Sequence, residues 1–362
     1  MSEPPALPTA PADTPLAPPR AQGAPATRCV LRAEPQDFMV DEDLGLEPDG
    51  SGEHLLLRVE KTGANTAWVA RQLARWAQIP PADVSYSGMK DRHAVTRQWF
   101  SLRMGGREDP PLAELDVEGV EVLSSARHGR KLRRGTHRAN HFTLTLRELD
   151  ADLTDRFAYV LAHGFPNYFG AQRYGQRNLD SARSLFSGKG RRLKREQRSM
   201  ALSSARSLLF DTVLAERVAQ GSWNRLLAGD AAMLAGSQSW FAVDTPDDAL
   251  AERLACFDIH PSGPLWGAGD LATGASIAEL EQAVAAAHEG FATGLARGGL
   301  RQQRRPLRAC AEGATIEQHE RTACVRFTLP AGSYATSLVR ELADIDEPDR
   351  SRATARASEA GD

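Results

Sequence analysis

The stretch Val84–Leu102, VSYSGMKDRHAVTRQWFSL, holds the residues of this chain best suited to chemistry. One acid, Asp91, stands among Lys90, Arg92, His93 and Arg97. Nearby positive charge favours the ionised form of a carboxylate. An ionised carboxylate at the end of a strand can serve as a base or as a nucleophile. Val84–Tyr86 reads as a short strand, and Ser87-Gly88 breaks it, because glycine tolerates backbone angles that other residues avoid. On composition alone the same run also reads as a surface turn held by salt bridges, since charged turns are common. Residue types by themselves leave both readings open.

The surrounding sequence supplies elements that could position Asp91. His54–Glu60 reads as a strand. Asn65 then caps a helix whose Trp68, Val69, Leu73, Trp76 and Ile79 recur at helical spacing, and Pro80-Pro81 ends it. Val120–Leu123 suggests another short strand. Phe142, Leu144 and Leu146 alternate as in a half-buried strand, with Asn140 at its start. Asp152–Ala162 reads as a helix. From Ser199 to about Arg308 the chain is rich in Ala and Leu at helical period, as in Ala201–Val218, Leu250–Cys256 and Ile277–Ala292, with Gly, Pro and Trp interrupting at Pro261–Gly267. Thr322–Leu329 alternates again, and a helix should run from Ala335 to near Ala343. Residues 1–27, rich in Pro and Ala, cannot bury enough apolar surface to offset ordering entropy and are expected to be disordered, as is the polar tail at 345–362.

The chain has 362 residues, enough for two domains of ordinary size. With 44 basic and 47 acidic residues the net charge is −3, which does not by itself advertise nucleic-acid binding. The distribution is more telling. Arg127–Arg138 carries six Lys or Arg and no acid, Lys189–Arg198 six with one acid, and Arg301–Arg308 four with none. Local basic clusters on an acidic body suit a phosphate-binding surface, although any one of them also reads as a solvated loop. No run approaches the length of a membrane span, and the N-terminus lacks a basic-then-apolar signal pattern. The four cysteines are scattered without metal or redox spacing and read as reduced, mostly buried thiols of a cytoplasmic protein. The acids between Asp41 and Asp49 lack the ligand spacing of a calcium loop. Lys90 is not in a P-loop, whose glycine spacing is missing.

Tyr86, Gly88, Lys90, Asp91, Ala94, Thr96 and Gln98 together closely resemble the catalytic motif of the TruD family of tRNA pseudouridine synthases. Four further segments are similar to that family. These are Arg32, Pro35, Asp37, Phe38, Val40 and Glu42; Asn140 with Phe142, where Ala139 replaces a usual Gly; Gly164–Gly175, with Tyr174 for Phe; and Pro330–Glu341, with Tyr334 for Phe. The resemblance implies an α+β fold: a pseudouridine synthase-type catalytic domain with a mixed or antiparallel sheet, formed by 28–163 and 309–344. A mainly helical TRUD domain, 164–308, would be inserted into it. The implied activity is isomerisation of uridine to pseudouridine in tRNA, at position 13 of the D arm, with Asp91 as the catalytic carboxylate. Arg32, or Lys90 as the local alternative, would hold Asp91 ionised and oriented. Phe38, Phe142 and Tyr334 would hold a flipped base, and Asn140 would face the uracil edge or Asp91. The reaction involves no redox change and calls for no cofactor; no protein partner is implied. A non-catalytic RNA-binding or RNA-folding protein of the same fold, and less readily a hydrolase with an Asp nucleophile, are the alternatives.

Overall fold

The computed structural model describes residues 18–170, 173–174, 176–188 and 193–346. The expected disorder at 1–27 and 345–362 falls mostly outside them, at 1–17 and 347–362. Where it falls inside, the chain is held. The Tyr168 hydroxyl donates to the Pro19 carbonyl at 3.2 Å, and Ala21 N–H donates to Glu341. At the other end, 344–346 forms a strand beside residues 28–30.

In chain order the elements are β1 (Arg28–Leu31), β2 (Phe38–Asp43), β3 (His54–Thr62), α1 (Thr66–Trp76), β4 (Val84–Tyr86), β5 (Val95–Arg103), β6 (Val120–His128), β7 (Ala139–Arg147) and α2 (Thr154–His163). Next come β8 (Phe165–Pro166), α3 (Gln176–Phe186), α4 (Arg195–Ala219), β9 (Ala231–Leu234), β10 (Trp240–Ala242), α5 (Asp248–Ala255), β11 (Ile259–Leu265), α6 (Ala275–Ala287), α7 (Glu289–Arg297), β12 (Gln303–Pro306) and β13 (Arg308–Ala309). The chain finishes with β14 (Glu312–His319), β15 (Thr322–Pro330), α8 (Ala335–Leu342) and β16 (Asp344–Asp346).

Two units emerge. Among the described residues a sheet unit comprises 25–157, 311–332 and 342–346, and a helical unit comprises 18–24, 158–310 and 333–341. The boundaries differ in detail from those read off the sequence: 158–163, 309–310 and 333–341 group with the helical unit. Local bonds explain this. Arg308-Ala309 pairs with Phe165-Pro166, and the Ser337 hydroxyl donates to the Tyr168 carbonyl at 3.0 Å.

The sheet unit is built on a ten-stranded mixed sheet with the path β14-β15-β7-β2-β5-β3-β6. The alternation of β3 turns Leu55, Leu57 and Val59 inward, where they meet Val69, Leu73 and Ala74 of α1 and Phe100 and Leu102 of β5. Burying such side chains contributes about 1.5–3 kcal/mol each. At one end of the sheet the inward rows turn polar. One cross-strand row runs Phe327, Phe142, Val40, Thr96, Lys61; the next carries Leu329, Asn140 and Glu42. Lys61, Thr96, Gln98, Asn140 and Glu42 are all buried.

The helical unit packs α3, α4, α6 and α7 around Leu208, Leu209, Val213, Val284 and Leu295. Besides its helices it holds a four-stranded antiparallel sheet, β10-β9-β11-β12, which helical periodicity does not reveal. β11 is the Pro261–Leu265 region read from sequence as an interruption. It is buried along nearly its whole length, so it shows no alternation. Gly263 is needed there because a Cβ would stand 2.8 Å from Leu307 and 3.0 Å from Phe210.

Candidate active site

Asp91 lies in the β4–β5 connection, and that connection is pinned on both sides. Lys90 N–H donates to the Thr66 hydroxyl at 3.0 Å, the Thr66 hydroxyl donates to Gln98 Oε1 at 2.9 Å, and Gln98 Nε2 donates to the Gly88 carbonyl at 3.3 Å. Thr66 opens α1 and Gln98 faces inward on β5, so a helix end and a strand together clamp the turn. Tyr86 packs edge-on against Phe100 with ring centroids 5.8 Å apart. Ala94 is fully buried, and Thr96 opposes Lys61 across the β5–β3 pair.

The cation on the Asp91 carboxylate is Arg32, whose Nη2 lies 2.9 Å from Oδ2. The Arg32 side chain is 5 % exposed and that of Asp91 32 %, so the acid is the member of the pair that solvent reaches. The Arg32 guanidinium lies over the Phe38 ring, 3.9 Å from its centroid. Its backbone is left-handed, with φ of 62°, which for a residue with a Cβ costs roughly 1–2 kcal/mol. Such strain is concentrated at functional positions. The segment just after it is anchored by Asp37, buried and held by the Arg147 guanidinium at 2.7–3.0 Å.

Lys90 turns away from Asp91. Its Nζ is 2.7 Å from Glu42 Oε2 and donates to Asn140 Oδ1 at 2.6 Å, and both charged side chains are buried. Asn140 Nδ2 donates to His137 Nε2 at 3.2 Å, which leaves the imidazole proton on Nδ1. Burial, and then the Lys90 charge, hold the His137 pKa below its ordinary value and keep the ring neutral. The Asn140 amide is therefore fixed in one orientation. Of the two cations that could accompany Asp91, the structure uses Arg32 for the carboxylate and commits Lys90 to Glu42 and Asn140. The sequence neighbours go elsewhere: Arg97 faces the other side of the sheet and pairs with Glu60, and Arg92 donates to the Gly63 carbonyl.

Phe38 and Phe142 meet edge-on with centroids 6.2 Å apart, and Phe142 stacks on Phe327 at 5.3 Å. Both are buried, so they form a floor behind Arg32 and do not present open ring faces. Ala139 pairs within β7, where extended backbone suits any residue. Tyr334 belongs to the helical unit and packs edge-on against Phe169 with centroids 5.9 Å apart. Gly170 makes room for it: a Cβ there would stand 3.1 Å from the Tyr334 ring. Phe169 in turn is held by its N–H donating to Asp211 at 3.0 Å and by Arg305 stacked 4.1 Å from its centroid.

A family model described as tRNA pseudouridine synthase D (TruD) matches residues 20–184 and 178–342. The tRNA pseudouridine synthase D of Methylococcus capsulatus is 46 % identical over 334 residues, spanning 91 % of this chain and 94 % of that protein. That of Aeromonas hydrophila is 44 % identical over 332 residues, spanning 90 % and 94 %. The chain belongs to the TruD family. In fold it is similar to the solved structure of a putative TruD from Methanosarcina mazei, with a TM-score of 0.67 at 19 % identity, covering 89 % of this chain and 95 % of that one.

The TruD-type motif around Asp91 thus has a structural account at each position, but three residues of the site escape it. Lys61, Thr66 and His137 all touch the segment or its partners. Lys61 left a signal in the sequence: the inward row Leu55, Leu57, Val59 continues to a lysine. His137 left none beyond its place in a basic loop.

The basic clusters divide. Arg130, Lys131, Arg133 and Arg134 are exposed on the β6–β7 loop, and Gly135 N–H donates to the Ser87 carbonyl at 2.7 Å, tying that loop to the Asp91 turn. Lys189–Arg198 lies outside the described residues at 189–192; Lys194, Arg195 and Arg198 are exposed. In the Arg301–Arg308 cluster three of the four arginines are turned inward and only Arg301 is exposed. Arg304 is buried against Glu281, Arg308 donates to the Leu254 and Ile259 carbonyls, and Arg305 donates to Asn167. Among the cysteines only Cys29 is buried; Cys256 is exposed, contrary to the expectation of mostly buried thiols. No helix among the described residues is long and apolar enough to cross a membrane.

Proposed function

We propose that this TruD-family chain isomerises uridine to pseudouridine in tRNA, at position 13 of the D arm, with the Asp91 carboxylate acting at the ribose. The bond from C1′ to uracil N1 breaks, the base turns, and C1′ bonds to C5. N1 gains a proton and C5 loses one, so atoms and electrons balance without a cofactor. The observation that carries the assignment is the pairing of Asp91 with Arg32: the carboxylate keeps solvent access while its counter-ion is buried and braced on Phe38. A carboxylate so held is pre-aimed before substrate arrives.

The other residues fall into supporting roles. Lys90 and His137 hold the Asn140 amide from both ends, so that Asn140 offers a set geometry beside Asp91. Phe38 and Phe142 form the floor of the site. Tyr334, half-buried on Phe169 in the helical unit, offers an aromatic face on which an RNA base can stack. Met89, 59 % exposed between the pinned residues Gly88 and Lys90, offers an apolar surface to the RNA beside the extruded nucleotide. The exposed cations at 130–134 grip phosphates next to the Asp91 turn, and Lys194, Arg195 and Arg198 add a second contact. A tRNA substrate supports a cytoplasmic location for the protein.

The deciding experiment is pseudouridine formation in unmodified tRNA, comparing wild-type protein with Asp91→Asn at equal folded concentration. Product from the former and none from the latter is expected. Product from both would remove Asp91 from its role, and RNA binding without product from either would favour a binding protein.

A further inference from the structure

Lys61 is the last inward residue of β3, following Leu55, Leu57 and Val59, and its side chain has no contact with solvent. Its Nζ donates to the main-chain carbonyl of Asp91 at 2.8 Å. Among the described residues no carboxylate lies within ion-pairing distance of it. This separates it from Lys90, Arg217 and Arg304, each of which is closed on a buried acid. Its cross-strand neighbour Thr96 is also buried, and the Thr96 hydroxyl has no hydrogen-bond partner among the described residues. An ammonium without a counter-ion destabilises a core, and a methionine would continue the apolar row at similar length. The geometry therefore has Lys61 working against stability at the one place where it meets the Asp91 backbone.

We infer that Lys61 is a positioning residue for Asp91: its ammonium fixes the Asp91 main chain from inside the sheet while Arg32 fixes the carboxylate from the other side. This rests on the reading of Asp91 as the reacting group. With one hold on the backbone and one on the side chain, the carboxylate has a single direction in which to face the ribose. Small misplacements of a reacting group cost large factors in rate. The charged groups that face Lys61 are Asp91 and Lys90, both from the β4–β5 connection. Thr96 on β5 and Val120 on β6, its cross-strand neighbours, carry no charge. Burial pushes the Lys61 pKa down to about 8 against the pull of Asp91, with the Lys90 charge pushing the same way as burial. As pH rises through that value Lys61 loses its charge, the hold on Asp91 weakens, and turnover should fall.

The test uses the full chain with unmodified tRNA and compares wild type, Lys61→Met, Lys61→Arg and Asp91→Asn, following kcat and KM from about pH 6 to about pH 9.5 together with thermal unfolding. Lys61→Met should lose roughly 30-fold or more in kcat with KM within about threefold, and its fall in rate near pH 8 should vanish. Its melting temperature should equal or exceed that of wild type, which a merely structural lysine would not allow. Lys61→Arg, which keeps a charge that does not titrate here, should recover part of the rate and lose the alkaline fall. Lys61→Met within about threefold of wild type at every pH would overturn the inference. If that variant does not fold, Lys61→Arg decides: an alkaline fall unmoved from wild type overturns the inference. Asp91→Asn separates the two levels. If it is active, the reading of Asp91 fails; if it is inactive while Lys61→Met behaves as wild type, only the role of Lys61 fails.

Discussion

In the helical unit Arg217 meets Asp230 at 2.8 Å and Arg304 meets Glu281 at 2.9 Å, and all four side chains are almost wholly buried. Further bonds close both pairs, as where Arg217 donates to the Ser222 and Arg225 carbonyls and Arg304 donates to the Ser262 hydroxyl at 3.0 Å. In the sheet unit Lys90, Glu42 and Asn140 form a comparable buried cluster, but it adjoins a carboxylate that solvent reaches. Buried charge is common to both units and so does not mark a site. The mark is the open acid beside the closed network. The closed pairs tie helices and strands together; the open one has partners that orient it and leave an oxygen for something else.

The comparison breaks most visibly at Asp91. Asp91→Asn should lower pseudouridine formation by more than about a thousandfold, with a smaller loss of stability to urea than a closed pair gives, because the Asn carboxamide oxygen still accepts from Arg32. A closed pair should behave in the opposite way. Arg217→Met leaves Asp230 buried without its partner and should destabilise the fold by about 3–5 kcal/mol, read as a lowered urea midpoint. Per molecule still folded, turnover should stay near wild type. Equal activity loss in both variants would erase the distinction between the two kinds of buried charge.

Phe142→Ala sharpens the boundary between floor and site. Phe142 is buried between Phe38 and Phe327, so its truncation should destabilise by about 3–5 kcal/mol in addition to slowing turnover. A variant with wild-type stability would mean that the ring serves substrate more than the core. Asp211 offers a pH test on the helical side. Burial raises its pKa to about 7, although Tyr174 and Phe169 N–H donate to it. The folded state thus holds a proton that the unfolded state releases, so its contribution to stability should fall as pH rises from the ordinary carboxylate range through about 7. Urea midpoints at both ends of that window should show the slope in wild type and not in Asp211→Asn. The smallest effect is expected on the surface. Replacing Arg130, Lys131, Arg133 and Arg134 by Ala should weaken tRNA binding and flatten its log–log salt slope by up to about 3. An unchanged slope would return that loop to ordinary solvated charge.

Much of the site was legible in the residues because its motif positions have local jobs. Gly88 and Gln98 bond to each other, Lys90 lies beside Asp91, and Asn140 and Phe142 share one face of a strand. The basic loop at 130–134 could also be seen as charge, though not its bond to Ser87. The strand at Ile259–Leu265 was hidden because a segment buried on both faces has no alternation. The Arg301–Arg308 run misled because composition records charge without burial: the same guanidinium that could grip a phosphate can also satisfy a carbonyl inside a core, as Arg308 does.

By itself, then, the sequence determined which acid stands in a turn after a strand, which segments resemble the TruD family, and which faces of its strands are apolar. Those properties depend on residue type and on spacing within a few positions, which the chain carries before it folds. Only the tertiary structure decided the company Asp91 keeps. Its carboxylate meets Arg32, 59 residues away, its carbonyl meets Lys61, 30 residues away, and neither comes from the cations next to it in sequence. In the β4–β5 connection Lys90 turns to Glu42 and Arg92 to the Gly63 carbonyl, while the pairing of β2, β3, β5 and β7 brings distant side chains to the same end of one sheet. The charge environment of a site is set by that pairing.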